Sequence, residues 1–136
     1  MALEEYRAPT KVKLAALWAS AMFCYIYCDY FGLYVAGTVD KMNRGILGPL
    51  GTATPVMLIA VSVMMAVPSL MVVLSLLLPA VVNRWANLIL GMAYSAIEAL
   101  TLIGSPPFYI LFGVVEIILT LVIAVVALRW PQAPGG

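Results

Sequence analysis

Residues 107–129 read PFYILFGVVEIILTLVIAVVALR, and between Pro107 and Leu128 the only charged side chain is Glu116. A helix rises about 1.5 Å per residue and needs about 20 residues to cross a hydrocarbon core of roughly 30 Å, so this stretch is long enough to span a membrane. Three more apolar blocks precede it, at about 12–36, 54–79 and 86–104. They leave about 45 residues for tails and loops, fewer than the ~50 of a small soluble domain. Composition agrees: the chain is 65% apolar and 10% charged, whereas soluble domains run about 45–50% and about 25%. The expected fold is all-α: one integral membrane domain over 1–136, a bundle of four antiparallel helices.

The block ends carry their own signals. Glu4, Glu5, Arg7, Lys11 and Lys13 lead into a first block that contains Asp29 and outruns the about 7–15 apolar residues of a cleaved signal, so it reads as a retained helix. Thr54-Pro55 opens the second block with proline in a first turn, and Asn83 or Asn87 stands where a cap for the third is expected. Gly104-Ser105-Pro106-Pro107 reads as a tight turn. The loop at about 37–53, with Gly45, Gly48, Pro49 and Gly51, is expected as a structured external turn over the mouth of the bundle, and the tail 131–136 as disordered. Arg7, Lys11, Lys13, Arg84 and Arg129 fall on one side against Lys41 and Arg44 on the other, which places both termini in the cytoplasm. No internal repeat of the kind found in inverted-repeat transporters is visible.

Missing residue types exclude whole chemistries. With no histidine, imidazole-ligated haem, histidine zinc sites and histidine-based triads are ruled out. Cys24 and Cys28 form no C-x-x-C pair, an intrahelical disulfide between them is badly strained, and they read as buried apolar side chains; no metal site and no cofactor are expected. A net charge of +1 without a basic run makes nucleic acid an unexpected partner. The expected partners are the lipid bilayer, further copies of the chain, and a small cation or hydrophobic ligand.

Three of the six acidic residues, Asp29, Glu98 and Glu116, fall inside the blocks, and every Lys and Arg lies outside them or at their ends. An ionisable group at mid-membrane costs about 2.5–3.5 kcal/mol on insertion scales, so such residues default to functional hypotheses. Counting from the external ends at about 1.5 Å per residue puts the three at depths of roughly 10, 9 and 13 Å, in one half of the membrane. Like charges in a poorly hydrated layer cannot all ionise cheaply, so such a cluster is suited to holding a proton or a cation. The plainer reading is that the acids are protonated packing groups, hydrogen-bonded to Tyr25, Tyr94, Ser62 or a backbone carbonyl.

Helical spacing at 100° per residue assigns each block an inward face. The first presents Trp18, Met22, Tyr25, Asp29 and Ala36, with Phe23, Tyr27, Tyr30 and Tyr34 opposite; the second presents Leu58, Ser62, Ala66 and Ser69. The third carries a polar stripe of Asn87, Gly91, Tyr94, Glu98, Thr101 and Ser105, and the fourth Tyr109, Phe112, Glu116, Thr120 and Ala127. The candidate site is therefore Asp29, Glu98 and Glu116 with Tyr25, Tyr94, Ser62, Thr101 and Tyr109. Pro68 should kink the second helix, and Gly91, Ser95 and Ala99 form a small-residue ladder suited to close packing.

The runs Lys11-Val12-Lys13-Leu14, Tyr25-Ile26-Tyr27-Cys28-Asp29-Tyr30-Phe31-Gly32, Asn83-Arg84-Trp85-Ala86-Asn87 and Phe108-Tyr109-Ile110-Leu111-Phe112-Gly113-Val114-Val115-Glu116-Ile117 carry a resemblance over about residues 11–130. The chain resembles a family of small bacterial four-helix membrane proteins of unknown function and, more distantly, the DoxX-type four-helix proteins. The resemblance implies the bacterial inner membrane and a four-helix fold, and supplies no substrate or reaction. Three functions compete. The first is binding or permeation of a proton, cation or cationic amphiphile at the acids, similar in plan to small multidrug exporters and favouring a homo-oligomer. The second is an enzyme or carrier for a lipid-, sterol- or quinone-like molecule. The third is an accessory subunit without its own site, and nothing in the sequence assigns an enzymatic activity.

Overall fold

The structure is a computed structural model that describes residues 1–134. It consists of α1 (Thr10–Gly32), a short α2 (Thr38–Asn43), a 3-10 turn at Gly48–Leu50, α3 (Pro55–Leu77), α4 (Ala80–Thr101) and α5 (Pro107–Leu128). Among the described residues the only β pairing is an isolated bridge between Ile46 and Thr52. Helices α1, α3 and α5 are long and apolar enough to cross a membrane, consistent with a membrane protein. Helix α4 matches them with 22 residues but spends Asn83, Arg84, Asn87 and Glu98 along its length.

Local chemistry sets the boundaries. Pro55 occupies the first turn of α3, where its missing N–H costs nothing, and the Thr54 hydroxyl caps that turn by accepting from Met57 N–H at 3.2 Å. Leu78 is extended, as the residue before a proline prefers, so α3 stops there and α4 starts directly after Pro79. Asn83 and Asn87, expected as caps, therefore lie inside α4, and both are fully buried. The loop before α3 forms α2 and the 3-10 turn, with Gly45 and Gly51 supplying positive φ on either side of the Ile46–Thr52 bridge. Of the tail expected to be disordered, Gly135 and Gly136 lie outside the described residues, while Pro131 to Ala133 line grooves at the end of α5.

Helix α4 runs along α5, α5 along α1, and α1 along α3, while α3 and α4 meet more sparingly. Leu14, Trp18, Met71, Tyr94 and Ile123 form the core, with the Trp18 and Tyr94 rings edge to face at 6.0 Å. The closest approach is between α4 and α5, where Gly91 faces the α5 backbone and the hydroxyls of Ser95 and Thr120 meet at 2.7 Å. Ala99, the third member of the small-residue ladder, is exposed. Outer faces are apolar, with Ile59, Ile89, Ile103 and Leu111 exposed, as suits contact with lipid.

Two helix faces differ from the sequence expectation. In α3 the buried residues are Pro68, Met71 and Ser75, whereas Leu58, Ser62, Ala66 and Ser69 are exposed. The reason is local: the Ser62 and Ser69 hydroxyls donate to the carbonyls of Leu58 and Met65 one turn back, and the one further contact is a weak approach of Ser69 to Met22 Sδ on α1 at 3.7 Å. In α1 the buried face is Leu14, Ala15, Trp18, Ala21, Tyr25 and Cys28; Asp29, although close to Trp18 in helical angle, is exposed in the last turn, and Ala36, also exposed, lies beyond the helix, which stops at Gly32. Phe23, Tyr27, Tyr30 and Tyr34 all face outward. Both cysteines are free, Cys28 buried and Cys24 half-buried. Helix α3 continues unbroken through Pro68.

Candidate functional site

Polar side chains gather at two levels of the molecule. Toward the end shared by the α4–α5 turn and the C-terminus of α1 lie the acids. Glu116, in the middle of α5, is 2% exposed, Glu98 on α4 is half-buried, and Asp29 on α1 is exposed. The carboxyls of Glu98 and Glu116 are within hydrogen-bonding reach of each other, and Asp29 is within electrostatic reach of both. Two carboxylates have only acceptor atoms, so a hydrogen bond between them requires one proton. When both groups are ionised they only accept, and Glu116 Oε1 is then a buried atom with no partner. Among the described residues, no Lys or Arg bears on any of the three acids.

The other candidate residues divide. Thr101 donates to the Glu98 carbonyl at 2.8 Å and sits 3.4 Å from Glu98 Oε2, with the half-buried Tyr109 phenol beside its hydroxyl. Tyr25, 6% exposed, lies near both glutamates with its hydroxyl unpartnered. Ser62 does not join the acids, being exposed and bonded to its own helix. Tyr94 is buried but serves another purpose: its hydroxyl donates to the Met64 carbonyl. Pro68 has no N–H to give the carbonyl four residues before it, which is that of Met64, so the Tyr94 phenol replaces the bond that proline deletes.

Tyr94→Phe should therefore cost about 1–2 kcal/mol by leaving a part-buried carbonyl without a donor. In a Pro68→Ala background the backbone N–H returns and the same substitution should cost about half as much or less. Unfolding titrations of the four proteins of this cycle in mixed micelles measure it. Equal costs in both backgrounds would show that the phenol does not compensate for the proline.

Toward the end shared by the termini lies a second cluster, which sequence reasoning divided between a cap and a stripe. Trp18 Nε1–H donates to Asn87 Oδ1 at 2.7 Å, and the Ser75 hydroxyl approaches the same oxygen at 3.3 Å. Asn87 Nδ2 donates to the carbonyl and Oδ1 of Asn83 at 2.9 and 2.6 Å, and Asn83 Nδ2 donates to the Ser75 carbonyl at 2.6 Å. Trp18, Ser75, Asn83 and Asn87 are all fully buried. Proline again explains the arrangement, because Pro79 cannot donate to the Ser75 carbonyl four residues earlier and Asn83 does so instead. Lys11 Nζ closes the last turn of α3 by donating to the Leu78 carbonyl at 2.7 Å. The signal was present in the sequence: each proline names the carbonyl it orphans.

Between the two clusters, Thr120 bonds Ser95 and its own helix at the Glu116 carbonyl, 2.9 Å away. Polar groups thus continue along α4 and α5 from the acids to the amides. Burial deepens from Asp29 through Glu98 to Glu116, while at the far end the amides, Trp18 and Ser75 are packed without exposure. Among the described residues, no three His, Cys, Asp or Glu side chains are placed to hold a metal ion.

Comparison with curated proteins and with solved structures yields no match to this chain. A family model does match, over residues 1–134, and its description assigns no function and makes no link to the DoxX-type proteins. On that match, which covers almost the whole sequence, the chain belongs to the Family of unknown function (DUF6326).

Proposed function

We propose that this protein is a four-helix membrane protein of the bacterial inner membrane with both termini cytoplasmic, in which Glu98 and Glu116 form an intramembrane proton-binding pair reached from the external side past Asp29. The observation that carries the reading is the meeting of a nearly inaccessible carboxyl, Glu116, with a second carboxyl and no cation. One proton held between the two satisfies both, and a cationic group donating to the same oxygens would replace it. The packed Trp18–Asn87–Asn83–Ser75 cluster closes the other end. This arrangement suits a site that loads and unloads from one side at a time better than an open pore. A homo-oligomer would give such a site a pathway that a single bundle has little room to provide.

Glu98→Gln and Glu116→Gln test it in proteoliposomes loaded with a pH-sensitive dye. A neutral amide replaces a carboxyl that already shares a proton, so both variants should fold and insert as the wild type does. The wild-type protein should raise proton entry above that of empty vesicles after an external acid step, and either substitution should abolish the increase. Entry that is unchanged in both variants would refute the pair as the proton site. Orientation is checked separately by a cysteine at position 41 in a cysteine-free background, which an impermeant reagent should label from outside cells. Labelling from the cytoplasmic side alone would invert the topology.

A further inference from the structure

Two grooves flank the end of α5 and share Pro131: one of about 340 Å³ lined by Arg84, Trp130 and Gln132, the other of about 260 Å³ lined by Lys13 and Arg129. No acidic side chain lines either. The Arg84 guanidinium is held in place, with one Nη donating to the Leu128 carbonyl at 3.2 Å and its Cζ 5.9 Å from the Trp85 ring centroid, while its Nε is buried without a partner. These contacts fix its position and leave its charge uncompensated. Lys13 lies near the start of α1 and Arg129 just past α5, both helices being able to cross a membrane. Such helix ends lie at the depth of lipid headgroups. Exposed Val81, Trp85 and Leu128 border the grooves with apolar surface.

We propose that these paired grooves bind the headgroup of an anionic phospholipid, its phosphate against Arg84 and Arg129 and its acyl chains along Val81, Trp85 and Leu128. Charge complementarity and the adjoining lipid-facing surface favour this occupant over a soluble anion, which would have no use for the apolar border. The proposal is independent of the proton-binding pair at the other end of the molecule.

Electron spin resonance on the full-length protein in phosphatidylcholine bilayers tests it, with either phosphatidylglycerol or phosphatidylcholine carrying the spin label. The motionally restricted fraction should favour phosphatidylglycerol by about threefold to fivefold. Arg84→Gln should reduce that preference by at least half, and Arg84→Gln with Arg129→Gln should remove it. Because Arg84 also closes the end of α5, Lys13→Gln with Arg129→Gln serves as a second variant that leaves that bond intact and should also lower the preference. Lys41→Gln with Arg44→Gln, at the opposite end, should leave it unchanged. Three results would overturn the site: a preference unaltered in the groove variants, an equal loss in the Lys41 and Arg44 variant, or displacement by inorganic phosphate beyond that caused by chloride at equal ionic strength.

Discussion

Asn87→Leu should destabilise the folded protein by about 3–5 kcal/mol, a large share of the about 5–15 kcal/mol that holds a typical domain together. Leucine has asparagine's branched side-chain frame with bulkier ends, so lost hydrogen bonds and overpacking at this fully buried position both contribute. The substitution strands the Trp18 indole N–H, fully buried and donating only to Asn87, and removes the donor to Asn83 Oδ1. A buried polar atom left without a partner costs about 1–3 kcal/mol, and at least two are created. Ser75 escapes by turning to a carbonyl of its own helix, as serine does elsewhere in α3. Trp18→Phe in the Asn87→Leu background removes the stranded donor and should recover part of the loss. Unfolding by sodium dodecyl sulfate in mixed micelles, followed by circular dichroism, measures both. A change below about 1 kcal/mol for Asn87→Leu would show that the amide cluster is not a structural lock.

Gly91→Ala should cost about 2–3 kcal/mol, the range of an overpacked core. An added Cβ would stand 2.9 Å from the Thr120 carbonyl oxygen and 3.1 Å from the Ala124 backbone nitrogen, and backbone cannot give way as a side-chain end can. Helix α4 would have to move away from α5, loosening the 2.7 Å Ser95–Thr120 contact and separating Glu98 from Glu116. Gly32→Ala is the matched control: a Cβ there meets nothing within 4 Å, and alanine should stabilise that helix end by about 0.5 kcal/mol. The same unfolding titration compares the two. Equal effects would mean that the α4–α5 approach is looser than these distances.

Helices α1, α3 and α5 were legible because length and apolarity alone define them, and the stripe on α4 was legible because its polar residues are too dense to face lipid. Asn87, Gly91 and Tyr94 are buried as that stripe requires, while Ile89 and Met92 face outward. Helix α3 was misread because Ser62 and Ser69, the two serines used to place its face, bond one turn back in their own helix and so mark no face. Its true inward face is set by Met71, Pro68 and Ser75, which hydropathy cannot separate from the rest of an apolar helix. Asp29 shares the helical angle of buried Trp18 but stands in the last turn of α1, where it is exposed, and angle alone does not register that change along the helix. Tyr94 was assigned to the acids by spacing alone, and the residue that claims it, Pro68, lies on a different helix. The candidate site therefore narrows from eight residues to the two glutamates, with Asp29, Tyr25, Thr101 and Tyr109 around them.

The claim that Glu98 and Glu116 hold one proton between them is tested most directly by infrared difference spectroscopy of the carboxyl carbonyl band in reconstituted protein. A protonated carboxyl absorbs apart from a carboxylate and apart from the amide that replaces it in a glutamine variant. The wild-type protein should show one such band near neutral pH. Glu98→Gln should remove it, because the new amide donates to Glu116 directly, and Glu116→Gln should remove it, because Glu98 loses the neighbour that crowds it. A band that persists in either variant, titrating with the midpoint it has in the wild type, would contradict a shared proton and leave the acids as independent packing groups.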